Sequence, residues 1–348
     1  MAVLNERDTA MRAGAALTAT GRVAVLFPGQ GSQSAGMGRG LLAAYPEGRA
    51  LLDAWSAAVN VDLHALLTGP TLDAHPLRVH LAVVSLGMLG WRWLIDSGQL
   101  QPAACRALIL SGHSLGEITA LACAGALSAG DALRLAHERG RLIAEACSEA
   151  PGAMRAVVGL PVQEVMALLE GGSAGGLTSR TGDAPPRVWP ANFNGPKQLV
   201  LAGAGDALDA LEPLLRAQGA NVLPLATAGA FHTPLMNRAA AALARFAGGL
   251  DFRPPEWSVL SSMHARLIGA PAGLPAHLGL QMVSPVRWLA VMQGLCRAGV
   301  DTAVELGPPG EVLLRLASTL EDWSPQVWSL SGLAANALAT SAVASAGH

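Results

Sequence analysis

Between Cys105 and Leu121 the chain reads CRALILSGHSLGEITAL. An apolar run short enough for a buried strand ends on Gly112-His113-Ser114-Leu115-Gly116, and a helical pattern starts at once after it. A strand that turns into a helix over so few residues needs glycine on both sides of the turn, because only glycine lets the backbones approach so closely. The same turn would lift the Ser114 hydroxyl off the strand end and aim a helix N-terminus at it. The Leu115 N–H would be left able to bind an oxyanion. Ser114 then reads as a nucleophile. The plainer account is a tight turn whose serine caps the helix. For Glu117, in the first helical turn, attraction to the helix dipole is account enough.

A second strand-to-loop junction lies at residues 23–38, VAVLFPGQGSQSAGMG. Such a loop can cradle a phosphate or offer backbone N–H groups to a reacting oxygen. The phosphate reading is weak, since Ser34 stands where the third glycine of G-x-G-x-x-G would follow Gly29 and Gly31.

Short apolar runs (22–28, 105–114, 303–308) alternate with helical patterns such as 131–147, which predicts an α/β fold with a mostly parallel sheet. From residue 150 onward a strand (152–160), helix (161–170), strand (198–203), helix (206–220) and strand (221–226) come in close succession, as in a small α+β unit of split-βαβ type. The loop 171–187 is flexible and solvent-exposed by composition. The domains expected are a disordered tail (1–20), a large unit (21–149 and 228–330), a small unit (150–227) and a flexible tail (331–348).

At 348 residues and 51% hydrophobic, the chain can bury a large core. With a net charge of −2 it carries no electrostatic footprint for nucleic acid. Cys105, Cys123, Cys147 and Cys296 are far apart, without the spacing of a zinc site, and read as buried thiols of a reducing cytoplasm. The N-terminus lacks the order of a secretory signal, and the longest apolar stretch, 81–91, is too short to span a bilayer and reads as a buried helix. A cytoplasmic protein without nucleic-acid or membrane partners is expected.

A serine nucleophile needs a base. His232, in AGAFHTPLM (228–236), lies just ahead of a cap and proline, Thr233-Pro234, so that a helix dipole would keep its ring neutral. It could equally be a packed loop residue, and no acidic residue stands out as a third partner. In the helix 131–147, Arg139 falls in the middle of the apolar stripe formed by Leu135, Ala136, Leu142 and Ile143. A buried guanidinium requires an anion or several carbonyls. It could hold a structural carboxylate, a helix C-terminus or the carboxylate of a substrate.

Together the motifs FPGQGSQ (27–33), GHSLGE (112–117), Arg139 in ERG, ANFNGPKQLVLAG (191–203), AFHTPLM (230–236), QMVSPVRW (281–288) and ELGP (305–308) resemble those of the malonyl-CoA:acyl-carrier-protein transacylase family. The likeness runs over about residues 22–325. It implies an α/β fold: an α/β-hydrolase-like large subdomain with a parallel sheet, plus a small ferredoxin-like α+β subdomain. It also implies that Ser114 carries the acyl group, that His232 is its base, and that the N–H groups of Gln30 and Leu115 form the oxyanion hole. Arg139 corresponds to the arginine that binds the malonyl carboxylate. Gln281 corresponds to the residue whose main-chain carbonyl steadies the histidine, and Asn194 to an asparagine near the site. Leu115 and Phe231 occupy positions that vary with the extender unit, and both fit the malonyl type. No bound cofactor is implied; the CoA thioester is substrate. The partners are malonyl-CoA and a phosphopantetheinylated acyl carrier protein, with a polyketide synthase as a further candidate. Rival readings are a carrier-protein thioester hydrolase, a transferase of another acyl unit, and an idle docking protein.

Overall fold

The computed structural model describes residues 21–346 apart from 73, 171–186 and 228. Its centre is a five-stranded, all-parallel sheet in the order β7-β2-β1-β8-β9. The strands are β1 (Arg22–Phe27), β2 (Ala107–Gly112), β7 (Ser258–Leu260), β8 (Thr302–Glu305) and β9 (Gln326–Ser329). Val23 to Leu26 of β1 are wholly buried, as a central parallel strand covered on both faces must be. Between β1 and β2 run α1 (Arg39–Ala44), α2 (Gly48–Val59), α3 (Leu63–Thr68) and α4 (Pro76–Asp96). After β2 come α5 (Gly116–Cys123) and α6 (Ala129–Glu149). Proline opens α4, and every residue from Val79 to Gly90 is buried, so the apolar stretch 81–91 lies in the core of the protein. Among the described residues, no helix is long and apolar enough to cross a membrane.

A second, antiparallel sheet has the order β4-β5-β3-β6. It comprises β3 (Ala153–Val158), α7 (Val162–Glu170), β4 (Val188–Gly195), β5 (Gln198–Gly203), α8 (Gly205–Ala217) and β6 (Asn221–Pro224). The chain then returns to the first sheet through α9 (Asn237–Ala247), β7, α10 (Leu274–Gln281), α11 (Trp288–Arg297), β8, α12 (Val312–Ala317), β9 and α13 (Leu330–Ala346).

Three expectations change here. Strand β4 has no counterpart among the strands expected from the sequence, because Pro190, Asn192, Asn194 and Gly195 are residues that edge strands and bulges tolerate and regular strands avoid. The structure puts β4 at a sheet edge, with register shifts at Pro190/Asn192 and Phe193/Gly195. The tail expected at 331–348 is helical through Ala346: Leu330, Leu333 and Ala334 are buried, and α13 packs on α1. Alanine is the best helix former, and a stretch of small residues hides the periodicity that marks most helices. Cys123 and Cys147 are buried as expected, whereas Cys105 and Cys296 are only half-buried. The tail 1–20 and all but the last residue of the loop 171–187 lie outside the described residues.

Glu305 closes β8 with a carboxyl only 2% exposed. Its Oε2 accepts from the N–H groups of Leu313 (3.0 Å) and Leu314 (2.9 Å), while Oε1 has no partner among the described residues. Burial outweighs those two donors and pushes its pKa from 4.5 up to about 7. A group whose pKa is raised on folding contributes stability below its unfolded pKa and loses it as pH climbs through the folded value. The expected result is a fall of about 3 kcal/mol in stability across that window. Urea titrations of the parent and Glu305→Gln at several pH values test this, since the Gln variant should lack that slope.

Candidate active site

At the C-terminal edge of the parallel sheet, the loops after β1 and β2 are pressed together. A methyl group on Gly112 would lie 1.9 Å from the Gly116 carbonyl carbon, and one on Gly116 would lie 2.0 Å from the Phe27 oxygen. One on Gly29 would lie 2.5 Å from the His113 oxygen and 3.6 Å from the Leu115 nitrogen. The glycines of both motifs are therefore required by each other's backbone. Between them Ser114 is forced to φ +52°, a conformation that costs a non-glycine residue of order 1–3 kcal/mol. Gly31 N–H is engaged by Gln33 Oε1 and Ser32 N–H by Gly29 O. The N–H groups of Gln30 and Leu115 have no acceptor among the described residues.

Ser114 Oγ lies 2.8 Å from His232 Nε2. His232 Nδ1 is 3.0 Å from each of two main-chain carbonyls, those of Gln281 and Ser284. A carbonyl can only accept, so Nδ1 carries the hydrogen and Nε2 presents its lone pair to the serine hydroxyl. Two backbone oxygens thus fix the tautomer without a carboxylate. His232 also has a positive φ, +61°, and its own N–H donates to Met282 O (3.1 Å). Burial is the first cause that brings its pKa down to about 3; the charge of Arg139 is the second. Thr233 caps the 3-10 turn Pro234–Met236, which runs directly into α9, so His232 stands just ahead of a helix as the sequence implies, and burial and the Arg139 charge act beside that dipole.

Arg139 is 4% exposed and makes no ion pair among the described residues. Its Nη2 donates to Ser114 Oγ (3.0 Å), Nη1 lies 3.4 Å from His80 Nε2, and Nε has no partner. Burial lowers its pKa to about 10, with the charge of Glu117 acting the other way, so it is a cation at neutral pH. A buried guanidinium with unused donors is costly until an anion arrives. His80, fully buried in α4, holds the other side: its Nε2 meets Gln30 Oε1 at 3.1 Å and its Nδ1 meets Ala136 O at 3.3 Å. Burial, then the Arg139 charge, keeps His80 well below its ordinary pKa and so neutral.

A cavity of 80 Å³ joins Gln30, Ser114, Arg139, Phe231 and His232 with His113, Ile143, Met154, Asn192, Leu225 and Thr227. Leu115 and Gln281 stand outside this lining. The Leu115 side chain is buried in the core, and Gln281 acts from behind, its Nε2 donating to Ser114 O (3.2 Å). Asn194 also acts at one remove: its Oδ1 is 2.9 Å from His113 Nε2, and the His113 ring leans on Trp288 at 5.5 Å. Asn192 Oδ1 is buried and has no partner among the described residues. A larger cleft, 450 Å³ between α7 and α11, contains none of these groups and lies beyond Phe193 on β4.

Glu117 stands in the first turn of α5, as the dipole account expects, but it is fully buried and has partners that account does not supply. Its Oε2 accepts from Ser262 N (2.6 Å) and Ser262 Oγ (2.9 Å), and its Oε1 lies 2.5 Å from His277 Nε2. The sequence does not single out His80, His113, Asn192, Ser284 or His277. His80 carries a signal that could have found it, because it falls within the apolar run of α4 as Arg139 falls within the apolar stripe of α6.

The arrangement offers a hydroxyl poised for deprotonation, a neutral base with a fixed tautomer, two unpaired N–H groups and an unpaired buried cation. Such a set can form and discharge an ester of an acidic acyl group. Residues 25–337 match the family of the acyl transferase domain. The chain is 33% identical over 302 residues to the malonyl CoA-acyl carrier protein transacylase of Salmonella typhimurium, covering 86% of this chain and 93% of that one. It resembles the malonyl CoA-acyl carrier protein transacylase of Coxiella burnetii with a TM-score of 0.81 and 27% identity, over 92% and 96% of the two chains. It also resembles a chain of PlMCAT:AntF, a type II PKS acyl-carrier protein in complex with its malonyl-transacylase, with a TM-score of 0.78 and 30% identity over 88% and 94%.

Proposed function

The chain belongs to the acyl transferase domain family, and from that premise we propose that it moves a malonyl group from malonyl-CoA to the phosphopantetheine thiol of an acyl carrier protein. The carrying observation is that one oxygen, Ser114 Oγ, lies within hydrogen-bond reach of both His232 Nε2 and the Arg139 fork, which has no carboxylate partner among the described residues. A fatty-acid or polyketide synthase is the destination of the acyl group; one structural neighbour is a malonyl-transacylase in complex with a type II PKS acyl-carrier protein.

Malonyl-CoA docks with its free carboxylate on the Arg139 guanidinium, a planar pairing that Lys could not match. Ser114 Oγ attacks the thioester carbon while its proton passes to His232 Nε2, and the Gln281 and Ser284 carbonyls stabilise the imidazolium at Nδ1. The oxyanion sits between the N–H groups of Gln30 and Leu115. As it collapses, the C–S bond breaks, and His232 returns the proton to the CoA sulfur. The carrier thiol then gives its proton to His232 and attacks malonyl-Ser114, and as the C–O bond breaks His232 returns that proton to Ser114 Oγ. This chain's own groups supply nucleophile, base and anion sites, and the scheme draws on no resident cofactor.

We read the larger unit as α/β-hydrolase-like and the smaller, residues 150–227, as ferredoxin-like. Support for the first is the nucleophile turn at the end of a parallel strand. Support for the second is the β3-α7-β4-β5-α8-β6 order with β3 and β5 central. The cytoplasm is the compartment proposed.

Intact-protein mass spectrometry tests the function. With a panel of acyl-CoAs, malonyl-CoA should add one malonyl mass, and holo carrier protein should then remove it. Loss of the adduct to water at the same rate with or without carrier would make the protein a hydrolase. Preferential loading of a bulkier acid would change the substrate.

A further inference from the structure

Gln281 reaches the catalytic pair from the end of α10, and α10 is tied down one turn earlier. His277 and Gln281 are four residues apart and share a helix face. His277 Nε2 meets Glu117 Oε1 at 2.5 Å, and no other group is bonded to that oxygen among the described residues. Glu117 lies in the first turn of α5, directly after the nucleophile turn, its N–H donating to Ser114 O at 3.0 Å. Its second oxygen holds Ser262 in the loop after β7, and the Ser262 carbonyl accepts from Arg287 N at 2.7 Å, at the start of α11. One buried carboxylate therefore joins the elements that surround the serine and its base.

The far end of α10 grips both. The Gln281 carbonyl accepts from His232 Nδ1, the Gln281 amide donates to the Ser114 carbonyl, and Met282 O accepts from His232 N–H. A shift of α10 along its axis would move every one of these contacts. We infer that His277 is a positioning residue: its hydrogen bond to Glu117 locks α10 against α5 and so sets the carbonyls that hold the His232 tautomer toward Ser114. Without a donor at position 277, the Glu117 Oε1 is buried and unpaired, and α10 must move or admit water. His277 touches no substrate in this scheme, so its loss acts on the chemical step and leaves malonyl-CoA binding alone. The inference rests on the serine–histidine reading above.

The test uses the full chain with His277→Leu, which removes the donor, and His277→Gln, which keeps one. The parent is first checked for the malonyl-Ser114 adduct; its absence would sink the serine reading and the positioning role with it. The Leu variant should lose about 10- to 100-fold in kcat with KM for malonyl-CoA within about 2-fold, as expected of a sub-ångström misplacement of reacting groups. The Gln variant should recover to within about 3-fold of the parent. Parental malonylation by the Leu variant, a change confined to KM, or equal kcat losses in both variants would overturn the role while leaving the serine reading intact. Should the Leu variant fail to fold, the Gln variant decides. A kcat near the parent's supports the role, and a loss of about 10-fold or more at an unchanged melting temperature rejects it.

Discussion

Ser114→Ala is expected to abolish malonyl transfer, with no adduct by mass spectrometry and a fall in kcat/KM of at least about 10⁴-fold. The size comes from what the hydroxyl does: it is the atom that bonds to the acyl carbon, and among the described residues no other hydroxyl or thiol lines the cavity beside His232 except Thr227. Thr227 Oγ1 is already directed at Gly229 O (3.4 Å). The residual rate is what the Gln30 and Leu115 N–H groups achieve with water. Stability supplies a second measure of the same position. Position 114 is held at φ +52°, which alanine tolerates no better than serine and glycine adopts at little cost. Ser114→Gly should therefore be as inactive as Ser114→Ala but unfold at a higher temperature. Equal melting temperatures would mean that the turn stores no strain, and parental transfer by either variant would remove serine from the reaction.

The nucleophile turn is readable from the sequence because it is a steric demand written in one place: Gly112 and Gly116 must be glycine for two backbones to meet. Arg139 is readable because periodicity sets a charge among Leu135, Ala136, Leu142 and Ile143. By the same rule His80 is readable in α4, and it has the function that rule would assign, a buried polar group answering the charge of Arg139 and the amide of Gln30. The features without a sequence signal divide into three kinds. The tautomer of His232 is set by carbonyl oxygens, which every residue has, so the Ser284 contribution leaves no trace in side-chain identity. The Glu117–His277 pair joins residues 160 apart, and neither partner breaks a local pattern. Strand β4 is hidden for a third reason: the residues that bring Asn192 to the cavity and Asn194 to His113 are the ones that regular strands avoid.

Arg139→Ala should cut kcat/KM for malonyl-CoA by about 10²- to 10³-fold, the scale of truncating one partner of a buried, hydrogen-bonded charge pair. Acetyl-CoA, which has no carboxylate to lose, should change far less. Equal losses on both substrates would reject Arg139 as the carboxylate site. The same substitution has a pH signature, since burial and then the Arg139 charge hold His232 down at about 3 in the free enzyme. Only the neutral ring can take the serine proton, so the acid limb of kcat/KM for the parent lies well below neutrality. Removing the guanidinium leaves burial but lifts the repulsion, and that limb should move up toward neutral pH for either substrate. A malonyl carboxylate seated on Arg139 would do the same to the bound enzyme, by cancelling the charge that weakens the base. The right substrate would then strengthen His232 as it arrives, and an acyl group without a carboxylate would not. In the parent this predicts a higher apparent pKa in kcat than in kcat/KM with malonyl-CoA, and no such gap with acetyl-CoA; Arg139→Ala should close the gap. Profiles of both parameters for both substrates decide it, and coincident limbs for malonyl-CoA in the parent would confine Arg139 to binding.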